Sequence, residues 1–214
     1  MSGRRHIKLA AFDLDGTLLR GDTVCEAIAN GIGQLGRMRQ FETLRAAAQI
    51  EEVKAARNEM AAWYAPYTVT ELCTHLPSLA LAPGAQDGLK LLRGHNFKIA
   101  IVSITWEFAV EWFCRRLGAD YFVGTRLSSN GQITHFWPDD KPRWLQELAL
   151  NLDIDLDEVV AVGDSSGDIP MLRAVGHPYW VGHTVPMELE TRATHHPNGD
   201  IRLLAQGIVN SVLS

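Results

Sequence analysis

The sequence predicts an α/β protein, with a parallel sheet covered by helices on both faces and a small helical segment inserted after the first strand. Three observations carry that prediction. After Pro83, short apolar runs alternate with helix-period segments, which is the pattern of strands buried on both faces of a parallel sheet. Residues 22–78 instead read as purely helical. Several of the apolar runs stop abruptly at polar residues, notably Asp13, Ser103 and Asp164, and ligands of open parallel sheets bind at such carboxyl ends.

Taken in order, residues 7–12 (IKLAAF) form a buried strand that ends at a carboxylate and a Gly-Thr turn. Thr23-Val24-Cys25-Glu26 matches a capping box, with Val24, Ile28 and Leu35 following at helical spacing. Residues 40–64 are rich in alanine and other strong helix formers, and Phe41, Leu44 and Ala48 open one face before Pro66 stops the run. A short helix is expected over 70–75. Beyond it come a helix over 84–93, a strand over 97–102, a helix over 105–117 and a strand over 121–123. Ser129-Asn130-Gly131 reads as a hairpin-type turn between two short polar strands. A helix over 142–150, a strand over 158–162 and a helix over 169–175 follow. A strand over 179–181 and a helix near 200–210 complete the pattern. The insertion implies two substructures with a cleft between them.

Composition narrows the function. With 46% hydrophobic and 21% charged residues over 214 positions, the chain has the make-up of a globular protein and not of a disordered one. A net charge of −5 offers no electrostatic footprint for nucleic acid. No apolar run approaches the roughly 20 residues of a spanning helix. The basic start, Met1-Ser2-Gly3-Arg4-Arg5, is followed too soon by Asp13 and Asp15 to be a signal peptide. Cys25, Cys73 and Cys114 lie far apart, have no CxxC spacing and are odd in number, so they suit a reducing cytoplasm. The histidines, His195-His196 in a turn-rich stretch included, form no site.

The strand ends carry the chemistry. An aspartate after a strand is ordinarily a turn former or a helix cap, and Asp168 has that reading for the helix that follows it. Four carboxylates converging (Asp13, Asp15, Asp164, Asp168) would repel one another, and an all-oxygen set answers that repulsion with magnesium (Mg2+) rather than zinc. Lys141, beside a helix start, either pairs locally with Asp139 or Asp140 or binds an anion jointly with the helix N-terminus. Ser103 adds a hydroxyl donor. Carboxylates, magnesium, a lysine and a serine together point to phosphoryl transfer.

Asp13-Leu14-Asp15-Gly16-Thr17, then Ser103, Lys141 and Gly163-Asp164-Ser165-Ser166-Gly167-Asp168 resemble, in order, the motifs of the haloacid dehalogenase superfamily. The stretch from Ser103 to Leu127 is similar to its phosphoserine phosphatase-like members. The resemblance implies a Rossmann-like catalytic core over 1–20 and 80–214, with residues 21–79 as a helical cap. It implies Asp13 as nucleophile, Asp15 as general acid and base with a raised pKa, and Ser103 and Lys141 as phosphate ligands. Magnesium would be held by Asp13, the Asp15 backbone carbonyl and Asp164, with Asp168 orienting the site. Asp15 separates phosphatases from the dehalogenases, which lack a second aspartate. The implied partner is a small phosphorylated metabolite, with phosphoserine one candidate. For its recognition Asp22 stands where the family reads the substrate amine, although Asp22 also suits a helix start. Arg57 is a candidate for the cap arginine, the alternative being a solvated helix face. The family's Ser-Gly-Gly is Ser103-Ile104-Thr105 here, a changed pocket wall. Trp63, Tyr64, Tyr67 and Trp106 either line a bulkier pocket or pack cap against core. Phosphotransfer to a small alcohol, and a non-catalytic phosphometabolite sensor, stay open as alternatives.

Overall fold

A computed structural model describes residues 8–45 and 49–212. In chain order the elements are β1 (Lys8–Phe12), β2 (Leu19–Arg20), α1 (Val24–Gly31), α2 (Leu35–Arg45), α3 (Ile50–Tyr64), α4 (Val69–Cys73), β3 (Ala80–Leu81), α5 (Ala85–Gly94) and β4 (Phe97–Trp106). Then come α6 (Glu107–Leu117), β5 (Tyr121–Leu127), β6 (Ile133–Thr134), α7 (Asp140–Asn151), β7 (Val160–Gly163), α8 (Ile169–Ala174), β8 (His177–Val181), β9 (Thr194–His196) and α9 (Ile201–Val212). Seven strands form one sheet in the order β6-β5-β4-β1-β7-β8-β9, and all neighbours are parallel except β6 against β5. The fold is therefore the predicted α/β architecture.

Strand alternation assigns the two faces. Ala10 and Phe12 of β1, Ile99 and Ile101 of β4, and Val160 and Val162 of β7 point into one apolar layer with α5, α6 and α9. Leu9, Ala11, Ala100, Val102 and Ala161 point into the other, with residues of α7 and α8. Successive side chains of a strand face opposite ways, so an apolar run without polar breaks is what a doubly covered strand requires. After β1 the chain continues through β4 on one side and β7 on the other. This switch point leaves a crevice beyond the carboxyl ends of the central strands.

β2 and β3 pair antiparallel, Leu19 with Leu81 and Arg20 with Ala80. This ribbon is where the helices α1–α4 leave the sheet and return. The predicted capping box is present: Glu26 N–H donates to Thr23 Oγ1 at 3.2 Å, and Thr23 N–H to Glu26 Oε2 at 2.9 Å. Val24, Ile28, Met38, Met60, Tyr64, Leu72 and Leu76 join the same apolar layer as α5, α6 and α9. On this face the insert and the sheet share one continuous core.

Several boundaries differ from the sequence reading, each for a local reason. The single helix expected over 40–64 is two, because Gln49 is extended and forms a reciprocal cap with Glu52 that starts α3. Residues 46–48, including Ala48 of the expected apolar face, lie outside the described residues, as does Ile7. β4 runs on to Trp106 through a register shift after Val102, which delays α6 to Glu107. β5 extends to Leu127 because its end pairs with β6 across the predicted turn. His195 and His196 stand not in a turn but in the edge strand β9, paired with Trp180 and Val181. Their ring nitrogens bond backbone carbonyls of Gly182 and Asp200.

Candidate active site

Asp13 is the first residue past β1, and its N–H donates to Val162 O at 3.0 Å, so the ends of β1 and β7 are locked together. A tight turn over 14–18 follows. Gly16 adopts φ 88°, and a Cβ there would lie 2.2 Å from the Asp164 carboxylate, so left-handed backbone and close approach both demand glycine. Thr17, fully buried, donates its hydroxyl to Asp164 Oδ1 at 2.7 Å. Asp15 is half-buried, and its Oδ1 accepts from Val24 N–H at 2.8 Å. The positive end of α1 thus holds this carboxylate.

Of the two sequence readings of Lys141, local pairing with Asp139 or Asp140 is not what the structure shows. Lys141 lies in the first turn of α7 and is 1% exposed; its Nζ donates to Asp13 Oδ1 at 2.7 Å and to Asp168 Oδ1 at 2.6 Å. Asp140 instead accepts from Trp137 N–H and pairs with Arg143. Asp168 directly precedes α8, but its carboxylate does not cap that helix. Its Oδ2 accepts from Asp164 N–H, Ser165 N–H and the Ser165 hydroxyl at 2.9–3.1 Å. Both oxygens of Asp168 are thereby occupied with orienting its neighbours. Ser103, 2% exposed, lies on β4 two residues beyond Ile101, the register partner of Phe12, with Thr105 N–H donating to its Oγ at 3.4 Å.

The charges are out of balance. One oxygen each from Asp13, Asp164 and Asp168 fall within 4.8 Å of one another, with a single lysine between two of them. Burial, then the Asp168 charge, pushes Asp13 well above the usual carboxylate range although Lys141 opposes it. Burial likewise raises Asp164 to about 6, with the Thr17 hydroxyl working against the rise. Burial disfavours the Lys141 charge, yet Asp13 and Asp168 more than compensate and hold it above its ordinary value. An oxygen-only set with surplus negative charge fits a hard divalent cation.

The two further sequence candidates are Asp22 and Arg57. Asp22 is exposed, one residue before the cap of α1. Arg57 is not on a solvated face: it is 6% exposed and donates to Ile104 O at 2.9 Å and Phe136 O at 3.3 Å. It also meets His135 Nδ1 at 3.1 Å and lies over the Trp137 ring at 4.5 Å. Of the aromatics, Tyr64 meets Trp106 edge-on at 5.7 Å, Trp63 stacks on Phe41, and Tyr67 is exposed. Tyr64 and Trp106 therefore pack insert against sheet. Sequence alone assigns no role to Thr17 or Ser165; their signal is membership of the two quoted motifs.

Residues 10–173 match the haloacid dehalogenase-like hydrolase family. The chain belongs to that family. Curated relatives narrow the branch. The chain is 27% identical to phosphoserine phosphatase of Lactococcus lactis over 78% of its own length and 80% of the relative's. It is 25% identical to that of Methanocaldococcus jannaschii over 79% and 82%. Phosphoserine phosphatase SerB2 of Mycobacterium tuberculosis is 26% identical over 79% of this chain, which spans only 42% of that longer protein. A solved structure titled as a phospho-aspartyl intermediate analogue of phosphoserine phosphatase superposes with TM-score 0.76 at 21% identity, covering 94% and 98% of the two chains. A substrate-bound phosphoserine phosphatase complex gives the same TM-score at 20% identity. The chain is thus a haloacid dehalogenase-like hydrolase that is similar, in sequence and in fold, to phosphoserine phosphatases. No helix among its described residues is long and apolar enough to cross a membrane.

Proposed function

We propose that this chain is a magnesium-dependent phosphatase that hydrolyses the phosphomonoester of a small cytoplasmic metabolite through an aspartyl-phosphate on Asp13. The observation that carries the reading is the buried Lys141 ammonium, bridging Asp13 and Asp168 beside Asp164 at the ends of β1 and β7. Asp13 attacks phosphorus as its P–O bond to the alcohol breaks, and Asp15 gives the leaving oxygen its proton. A water then attacks the phosphoryl group, Asp15 takes a proton from it, and the P–O bond to Asp13 breaks to release inorganic phosphate. Lys141 and Ser103 hold the phosphoryl oxygens, and Asp168 fixes Lys141 in place. Asp13, the Asp15 backbone carbonyl and Asp164 are the groups that would hold magnesium, which when bound supplies positive charge against the phosphoryl oxygens.

Residues 21–79 act in this reading as a cap that excludes water from the cleft. The relatives named as phosphoserine phosphatases make phosphoserine one candidate substrate. Asp22 and Arg57 are the residues proposed to meet its charged groups. For Arg57 this requires exchanging a bond it now makes to Ile104 or Phe136.

The test is phosphate release from a panel of metabolite phosphomonoesters, with magnesium or EDTA, by the wild type and Asp13→Asn. Turnover that needs magnesium and vanishes in the variant is expected. Turnover that survives Asp13→Asn would overturn the aspartyl-phosphate route.

A further inference from the structure

Beside Asp164, the turn over 14–18 and the loop that joins β9 to α9 come together. Arg20, half-buried, bridges them. The two N–H groups of one guanidinium nitrogen are shared among Gly16 O, Thr17 O at 2.9 Å and Leu19 O at 2.9 Å. The other nitrogen donates to Gly199 O at 3.1 Å, across 179 positions of sequence. Gly199 adopts φ 60°, and a Cβ there would lie 2.4 Å from the Arg20 guanidinium nitrogen, so a side chain at this point of the loop would displace the guanidinium. The turn that Arg20 grips is the one whose Thr17 hydroxyl holds Asp164 and whose Gly16 abuts it. A cavity of about 450 Å³, lined by Gly16, Arg20, Asp164, Val181, His183 and Gly199, opens at this junction.

We propose that Arg20 is a positioning residue for the metal ligands, and that through it the Pro197–Asp200 loop, beyond the matched family region, sets the affinity of the site for magnesium. The inference rests on the magnesium reading above. Its physical basis is the fork of the guanidinium, whose separate nitrogens bond two segments at once. Without the bridge the Gly16-Thr17 carbonyls lose their shared donor and the turn moves, taking the Thr17 hydroxyl out of line with Asp164. The effect falls on metal binding, since Arg20 hydrogen-bonds neither Ser103 nor Lys141, the groups placed on the phosphoryl oxygens.

Two variants disturb the bridge from opposite ends. Arg20→Met removes the guanidinium, whereas Gly199→Ala pushes it aside from the loop and leaves every group of the turn in place. Magnesium binding is measured by titration calorimetry on wild type and both variants, with circular dichroism melts to show that each is folded. Both variants are expected to bind magnesium about 10-fold or more weakly, while the KM for the ester at saturating magnesium moves less than about two-fold. If wild type binds magnesium and neither folded variant is weakened, the proposal is overturned. Weakening in Arg20→Met alone overturns the part given to the loop. Should Arg20→Met fail to fold, Gly199→Ala decides. A wild type that binds no magnesium overturns the magnesium reading itself, and this inference with it.

Discussion

At the scale of single residues, Lys141 and Asp13 make opposite contributions to the same buried cluster. Lys141 is almost fully enclosed and pairs with two carboxylates at once. Lys141→Met would strand Asp13 and Asp168 in a low-dielectric site, a change that costs about 3–5 kcal/mol when one partner of a buried pair is lost. Asp13→Asn removes a charge that the site already disfavours, because burial and the Asp168 charge keep its pKa above the ordinary value. Both variants should be inactive, yet in EDTA at pH 7.5 Lys141→Met is expected to melt well below wild type and Asp13→Asn at or above it. Thermal denaturation with circular dichroism checks this pair. Equal losses in the two would mean that the cluster is not carrying surplus negative charge. Asp13, Asp15, Asp164 and Lys141 were legible in the sequence because each stands at a strand end or helix start with a motif around it. That Lys141 reaches Asp13 across 128 positions was not, since local pairing with Asp140 explained the same residues equally well.

At the scale of elements, α3 shows why a contact of this kind is hidden from sequence. Arg57 lies among Ala55, Ala56, Asn58 and Glu59, a neighbourhood that reads as a solvated face. Its partners are backbone carbonyls of Ile104 and Phe136 and the His135 ring, and no residue type advertises a carbonyl. The bonds tie α3 to the residue after Ser103 and to the segment that leads into Lys141. Arg57→Met leaves the Ile104 and Phe136 carbonyls to share the single Thr125 hydroxyl, which reaches them at 3.0 and 3.4 Å, so a loss of about 1–3 kcal/mol is expected. The amides of α3 should then exchange faster with deuterium than those of β1 or β7, whose protection should follow global stability alone. Urea melts combined with hydrogen exchange measure both. An unchanged exchange pattern in α3 would show that its apolar contacts, such as Met60 and Tyr64, suffice without the arginine. The break between α2 and α3 was equally illegible, because strong helix formers run through it and only the reciprocal cap of Gln49 and Glu52 interrupts them.

At the scale of the whole molecule, the fold was readable because its strands are covered on both faces, so apolar runs alternating with helices left few other architectures. The strand order across the sheet was not, and neither was β9, whose Thr-His-His sequence has no apolar face to announce an edge strand. The same topology brings carboxylates from β1 and β7 together and so makes stability depend on pH. Asp164 titrates at about 6 in the fold against 3.8 for an ordinary aspartate, burial being the main cause. A carboxylate with a raised pKa in the folded state binds its proton more tightly there than when unfolded. Its contribution to stability is therefore fully present below the ordinary pKa and is lost as pH climbs from about 4 to about 6. Asp13 is shifted in the same direction. Magnesium needs these groups ionised and competes with the proton for them, so it stabilises least in acid and most above the window. The melting temperature of the EDTA-treated protein, measured with and without saturating magnesium, should show a gain that is small at pH 5 and grows to a plateau by about pH 7.5. A gain independent of pH across that range would mean that the cation binds away from Asp13 and Asp164, and the metal would have to be sought elsewhere on the molecule.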